Sequence, residues 1–425
     1  MIADNTTHDA IFIIFAPYSR RYTLAPLQSS NKFGSALGFL LYLQGKIEQL
    51  MISKYLLFPY YLTLKIRNYL YDSGAKKQYR SEIPTICIGN VTVGGTGKTP
   101  HTEMILKTLL SEPNFAEKRI AVLSRGYKRK KKGFQQVVLN GTARDYGDEP
   151  LQIKRKFPEV GVIVDKDRVR GCHFLAHPQE IQTSKITRKC LRKDVRRPQL
   201  IVLDDAFQYR RLKPSLSIVL IDYNRPTFED ELLPIGHLRD LPERVSKADV
   251  IIVTKCPRDL NSWNKSTWAE ALGLCQYDAT ECTAHRKDGS IQKLFFTTIQ
   301  YETAQPVFPE GDMRYTYSKR LILLSGIADN SSFKHYLSDS YKILRQLEFK
   351  DHHKFSSADI NSVYSASRSE NTAVVMTTEK DCQRIRDCKY VPEELKKKMF
   401  YIPISVAFFS DSDKDKFIQT LVSVI

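Results

Sequence analysis

The stretch Ile83-Pro-Thr-Ile-Cys-Ile-Gly-Asn-Val-Thr-Val-Gly-Gly-Thr-Gly-Lys-Thr-Pro100 decides how the rest of the chain is read. Its apolar run Ile86-Cys87-Ile88 predicts a buried strand, and the residues that follow predict a tight loop opening into a helix. Glycines at 94, 95 and 97 let successive backbone N–H groups turn toward one anion, and the helix N-terminus adds its partial positive charge. In such a cradle, formed here by Thr92, Val93, Gly94, Gly95, Thr96, Gly97, Lys98 and Thr99, the lysine reaches the terminal phosphates and the Thr99 hydroxyl ligates Mg²⁺. Pro100 suits the first helical turn, where its missing N–H costs nothing. Thr92 stands where the generic pattern G-x-x-x-x-G-K-[ST] has its first glycine.

Working outward, 425 residues can bury ample core and suggest two or three domains. An apolar fraction of 42% with 26% charged residues describes a globular chain, but the formal charge of +18 points to an anionic partner, either nucleic acid or an acidic membrane surface. Eight cysteines without a C-x-x-C pair read as reduced structural thiols in a cytosolic compartment. No run of 18 apolar residues occurs, so no spanning helix is expected, and the start lacks the basic region of a signal peptide. Residues 1–50 read as an extension, with Met51 as an alternative natural start.

The segment 51–80 holds Tyr55-Leu-Leu-Phe-Pro-Tyr-Tyr-Leu-Thr-Leu-Lys-Ile-Arg-Asn-Tyr-Leu-Tyr71, followed by Lys76, Lys77 and Arg80. Two readings stand: a helix lying in lipid headgroups, with tyrosines and snorkelling cations, or an amphipathic helix packed on its own core. From the phosphate loop onward, continuous apolar runs at 119–124, 160–164, 200–203, 216–222 and 250–254 are spaced for crossover helices. That is how a parallel sheet covered on both faces reads. The expectation is an α/β kinase-like core over 81–310, with a P-loop NTPase-type parallel sheet. A boundary at 305–318 separates it from a smaller C-terminal α/β domain over 311–425, with strand-like runs at 321–325, 372–376 and 400–405. The cationic patch at 185–197 reads first as a solvated insertion.

Several constellations could carry chemistry. Leu200-Ile-Val-Leu-Asp-Asp205 ends a strand in two acids, where a P-loop protein holds Mg²⁺, so Asp204 and Asp205 join Thr99 as metal candidates. In Gly147-Asp-Glu-Pro150 the acids could simply cap a helix. Ser124-Arg-Gly-Tyr127 opens a basic strip that could face an anionic substrate or only solvent. Of His352 and His353, adjacent on the chain, one is expected to be functional and the other exposed.

Taken in order, Ile88-Gly-Asn-Val-Thr-Val-Gly-Gly-Thr-Gly-Lys-Thr-Pro100, Leu123-Ser-Arg-Gly-Tyr127, Gly147-Asp-Glu-Pro150, Asp167-Arg168, Leu203-Asp-Asp-Ala-Phe-Gln208, Leu233-Pro-Ile-Gly-His-Leu-Arg239, Ser325-Gly-Ile-Ala328, Asp351-His352 and Thr377-Thr-Glu-Lys-Asp381 resemble the tetraacyldisaccharide 4'-kinases of lipid A synthesis. The resemblance runs from about residue 54 to the C-terminus, and Thr92 sits where that family has Ser or Thr. It implies transfer of the ATP γ-phosphate to the 4'-hydroxyl of a tetraacyldisaccharide 1-phosphate by a peripheral protein on the cytoplasmic face of the inner membrane. It also implies Asp148 as base with His352 as its partner, Lys98 and Thr99 on the nucleotide, Asp204 and Asp205 on Mg²⁺, and Tyr127, Arg168 and Arg239 on the substrate side. No nucleic-acid partner or obligate protein partner is implied. Asp240 and Tyr209 depart from the Glu and His usual in the family. The rival is a P-loop GTPase or assembly factor acting on a protein: Thr254-Lys255 faintly matches a guanine-reading motif, but Pro257 holds the place of its aspartate.

Overall fold

In a computed structural model, residues 57–113, 115, 119–187, 190 and 195–424 are described. The expected extension over 1–50, the first residues of the 51–80 segment, and Arg188, Lys189, Arg192 and Lys193 of the cationic patch lie outside them. A helix, α1, covers residues 57–72. The chain then alternates strands and helices: β1 (Thr85–Gly89), α2 (Lys98–Ser111), β2 (Ile120–Ser124), α3 (Asp148–Lys156), β3 (Gly161–Val164), α4 (Arg168–Ala176), β4 (Leu200–Asp204), β5 (Leu216–Asp222), β6 (Val250–Thr254) and β7 (Ile291–Tyr301).

These strands pair in the order β7-β6-β5-β1-β4-β2-β3, all parallel. Every residue of β1, β2, β4, β5 and β6 is buried, as continuous apolar runs flanked on both faces require. Short antiparallel strands extend the sheet at both edges. β1 lies in its middle, so the loop after it opens at the carboxyl ends of the strands, where α/β sheets bind ligands. Ile86 and Ile88 of β1 pack with Ile105, Leu106 and Leu109 of α2 and Leu151 of α3 in one core.

A second sheet is built from β8 (Arg320–Ser325), β9 (Lys342–Glu348), β10 (Val374–Thr378) and β11 (Met399–Ile402), in the order β11-β10-β8-β9, parallel throughout, with Gln305–Pro306 antiparallel at its edge. Alternate residues of β8 feed opposite faces. Ile322 and Leu324 pack on the side of α6 (Ser357–Ser369) and α7 (Glu379–Arg386), whereas Leu321 and Leu323 pack on the side of α5 (Ser331–Ser340).

The apolar run at 400–405, read as one strand of the smaller domain, is two strands of two different sheets. β11 ends at Ile402; after Pro403, β12 (Ile404–Phe408) pairs antiparallel with the far end of β7, and α8 (Asp411–Val422) places Phe417 and Leu421 in the core of the large sheet. Proline lacks the N–H that a continuing ladder needs, which makes the break possible there. The smaller lobe is therefore an insertion, and the C-terminal residues expected within it return to the large one. Residues Pro59–Ile425 form one compact unit.

Candidate active site

The phosphate loop is held by a network centred on Asn90. Its amide nitrogen donates to the hydroxyls of Thr96 (2.7 Å) and Thr92 (3.1 Å), and its carbonyl oxygen accepts from Lys98 Nζ (3.4 Å) and from Arg239. Thr92 is thus buried and gives its backbone a bridge to Leu238, while the Val93 N–H donates to the His237 carbonyl (2.7 Å). A glycine at 92 could not fill this hydroxyl role. Gly94 and Gly95 are exposed, and Gly97, at φ 79°, adopts the left-handed geometry that turns the loop into α2. His101, one turn into α2, is fully buried, with Nδ1 at 2.8 Å from the Gly97 carbonyl and Nε2 at 3.1 Å from Thr297 Oγ1. Burial pushes its imidazole down to about 4, so it is neutral and structural.

At the end of β4, Asp204 accepts from Ser124 Oγ (3.0 Å) and Thr102 Oγ1 (3.4 Å). Burial, reinforced by the charges of Asp205 and Glu149, pushes its carboxyl up to about 6. Burial also raises Asp205, but Lys98 and Arg239 outweigh it and hold that carboxyl below its ordinary value. Lys98 itself is lowered by burial against the pull of Asp205. Two neighbouring carboxylates, one of them raised by burial and by the charge of the other, together with the Thr99 hydroxyl at the start of α2, fit a hard divalent ion that prefers oxygen and keeps several waters. Among the described residues no cluster of three acidic, histidine or cysteine ligands exists.

The base candidate sits on the first turn of α3. Gly147 precedes it at φ 98°, a backbone that favours glycine, and the Asp148 side chain caps nothing. Its Oδ2 accepts from His352 Nδ1 (3.0 Å) and from Arg384 Nε (2.8 Å), leaving Oδ1 without a hydrogen bond among the described residues. Burial raises this carboxyl, but the His352 hydrogen bond and the Arg384 charge prevail and hold it below its ordinary value, so it is ionised with a free oxygen to receive a proton. His352 adopts φ 60°, and Tyr127 lies with its ring 5.5 Å from the imidazole. His353 is half-buried rather than exposed: it bonds Asp359 (3.0 Å), the acid of the α6 capping box, and stacks on Phe349.

The charge of Glu149, next to the base candidate, acts on both Lys98 and Asp204. Arg239 lies with the nucleotide-side group as an ion-pair partner of Asp205. Arg168 is buried, donating to the Asp205 carbonyl (3.2 Å) and facing the Tyr209 ring. Asp240 is fully buried and accepts from Asn68 (3.0 Å) of α1, while Tyr209 donates to Asp167 (2.6 Å), so both departures serve structure. Lys255 is engaged by Asp222 at 2.6 Å rather than reading a base. Sequence reasoning missed Asn90, Arg384 and Lys380, although the Gly-Asn-Val-Thr and Thr-Thr-Glu-Lys-Asp segments contained two of them. It also missed Lys156, whose ammonium on α3 joins Glu103 of α2 (2.7 Å) to Glu379 of α7 (3.1 Å), tying together the helices that carry the loop, the base and the smaller lobe.

A glycine-rich loop on the central parallel strand, strand-end acids beside it and a carboxylate–histidine pair across from it define a P-loop phosphotransferase. The family model described as "Tetraacyldisaccharide-1-P 4'-kinase" matches residues 52–424. The chain is 36% identical over 377 residues to a tetraacyldisaccharide 4'-kinase of Porphyromonas gingivalis, covering 86% of this chain and 94% of that one. It is 37% identical over 365 residues to a protein of the same name from Parabacteroides distasonis, covering 84% and 90%. The chain belongs to the tetraacyldisaccharide 4'-kinase family. A crystal structure of LpxK from Aquifex aeolicus in complex with ATP shares the fold, with a TM-score of 0.59 and 24% identity over 88% of this chain and 98% of that one.

Proposed function

We propose that this chain transfers the γ-phosphoryl group of ATP to the 4'-hydroxyl of a tetraacyldisaccharide 1-phosphate, with Asp148 as general base. The observation that carries the assignment is the Asp148 carboxylate: Oδ2 is filled by His352 and Arg384, and Oδ1 has no hydrogen bond among the described residues. Oδ1 takes the hydroxyl proton as that oxygen bonds to the γ-phosphorus. The bond from γ-phosphorus to the bridging oxygen breaks, and ADP leaves. The loop backbone, Lys98 and Arg239 cradle the phosphates, and Tyr127 lines the acceptor side. Mg²⁺ held by Asp204, Asp205 and Thr99 would neutralise phosphate charge.

The lipid acceptor is met at a membrane surface. Among the described residues no helix is long and apolar enough to cross a bilayer. On α1, Leu62, Ile66 and Tyr69 are 41%, 50% and 70% exposed, and their spacing puts them on one stripe, with Lys65 alongside. The opposite side of α1 is latched by Asn68 to Asp240 and by Arg67 to the Gln208 carbonyl (2.6 Å). This supports peripheral docking of the cationic protein on the anionic cytoplasmic face of a bacterial inner membrane.

The deciding experiment incubates the purified protein with γ-labelled ATP, Mg²⁺ and the tetraacyldisaccharide 1-phosphate in detergent. Label is expected in the lipid; a folded protein that leaves the lipid unlabelled refutes the assignment.

A further inference from the structure

The segment Thr377-Thr-Glu-Lys-Asp381 has no role in the reaction as described so far, yet it opens the helix that reaches the base. We propose that α7 supplies two positioning residues, Arg384 and Lys380, which together fix which oxygen of Asp148 is open and which nitrogen of His352 carries the proton. The proposal rests on Asp148 as base. Residues 380 and 384 are four apart and share one face of α7.

Arg384 is aimed by its own lobe. Its Nη1 donates to Asp381 Oδ1 (2.8 Å) and to the Gly326 carbonyl (3.0 Å). Asp381 is in turn fully buried and fixed by the Gly326 N–H (2.9 Å) and the Thr378 hydroxyl (2.8 Å). The guanidinium plane is therefore set before Asp148 is considered, and Nε is the edge it offers. Donating to Oδ2 at 2.8 Å, it completes the occupancy of that oxygen with His352, so a sugar hydroxyl meets Oδ1.

Lys380 acts on the far side of the imidazole. Its Nζ lies 3.5 Å from His352 Nε2, 2.9 Å from Glu149 Oε1 and 3.7 Å from Asp351 Oδ1. An ammonium has only donors, so the ring nitrogen it approaches must be the acceptor. The proton then resides on Nδ1, the nitrogen that faces Asp148. A second group pulls the other way: Asp351 Oδ2 lies 3.6 Å from the same Nε2 and would favour a proton there. Lys380 opposes it with its own positive charge and by engaging Asp351. Of the groups facing His352, Asp148 and Asp351 favour a charged ring, Lys380 and, across the shared Asp148 oxygen, Arg384 oppose it, and the Tyr127 ring is neutral. Removing Lys380 takes away the charge that opposes Asp351 at Nε2, and a ring protonated on both nitrogens would make the Asp148 carboxylate a weaker base.

The test combines kinetics with imidazole ¹⁵N spectra of the full chain, the His352 signal being assigned from a His352→Gln difference spectrum. In the unsubstituted protein near neutral pH, the His352 spectrum should show one protonated nitrogen and one bare nitrogen. Lys380→Met should show two protonated nitrogens and lower kcat about tenfold or more with KM for ATP little changed, and Lys380→Arg should restore the one-proton pattern. Arg384→Met should lower kcat similarly, with Arg384→Lys recovering part of it. A Lys380→Met protein that loses activity but keeps the one-proton His352 spectrum overturns the proposal, because Lys380 would then be only a latch to Glu149. Unchanged kcat in Lys380→Met overturns it as well. Failure of the base assignment is separately visible, as an Asp148→Asn protein of undiminished turnover.

Discussion

Replacing Lys156 by methionine tests how the three helices around the site are held together. Lys156 stands between Glu103 and Glu379, both buried, so two carboxylates share one ammonium. Burial, and then the charge of Glu379, pushes the Glu103 carboxyl from an ordinary 4.5 up to about 7. Stability associated with that group is therefore full below about 4.5 and is lost as pH rises toward 7. At pH 6 Glu103 is largely protonated and Lys156 pairs mainly with Glu379. Removing the ammonium then leaves one carboxylate, which can escape its buried charge by taking up a proton. Relative to an unfolded value of 4.5, that uptake costs about 1.36 kcal/mol per pH unit, or about 2 kcal/mol at pH 6 and about 5 kcal/mol at pH 8. The loss caused by Lys156→Met, measured by urea denaturation, should thus grow between these two pH values, by about 3 kcal/mol from Glu379 alone and by more as Glu103 also ionises above about 7. The triple variant Glu103→Gln/Lys156→Met/Glu379→Gln should abolish the growth. An equal loss at both pH values would refute the shared-cation reasoning and leave lost packing of the lysine stem as the cause.

Other outcomes follow from single contacts. Asp148→Asn should lower kcat by about 10²–10⁴ with KM for ATP unchanged, read from initial rates over a range of ATP concentrations; comparable turnover would remove Asp148 as base. Asn90→Ala should release Thr96, Lys98 and Arg239 together and raise KM for ATP by about tenfold, corresponding to about 1.4 kcal/mol, and an unchanged KM would mean the loop holds itself. Leu62→Glu with Ile66→Glu should sharply reduce cosedimentation with anionic vesicles while detergent-phase activity persists. Equal vesicle binding would assign docking to another surface.

Much of this was legible in the sequence for a simple reason. A parallel sheet buried on both faces must be written as short unbroken apolar runs, and Leu216–Asp222 and Val250–Thr254 have the limits read from the chain. The phosphate loop was equally plain because its chemistry is local. The contacts that complete the site are not local. Arg384 meets Asp148 across 236 positions, and Asn90 meets Arg239 across 149, so neither pairing leaves a periodic trace. The segments around them could be recognised as motifs, but their partners could not be deduced. His353 escaped for a different reason: an adjacent histidine was expected to point to solvent, and the α6 cap captured it instead. The run at 400–405 misled because a strand of either sheet is apolar, and Pro403 was the one local sign that ownership changes within it.

That change of ownership constrains the order in which the protein can be completed. The large sheet has its loop, acids and base by residue 301, yet β12 and α8, which bring Phe417 and Leu421 to its core, follow the whole inserted lobe. On the ribosome the first lobe must wait, partly uncovered, until about a hundred further residues have emerged, while the inserted lobe is contiguous and able to fold at once. Loss of only the last dozen or so residues would therefore damage the half of the molecule made first.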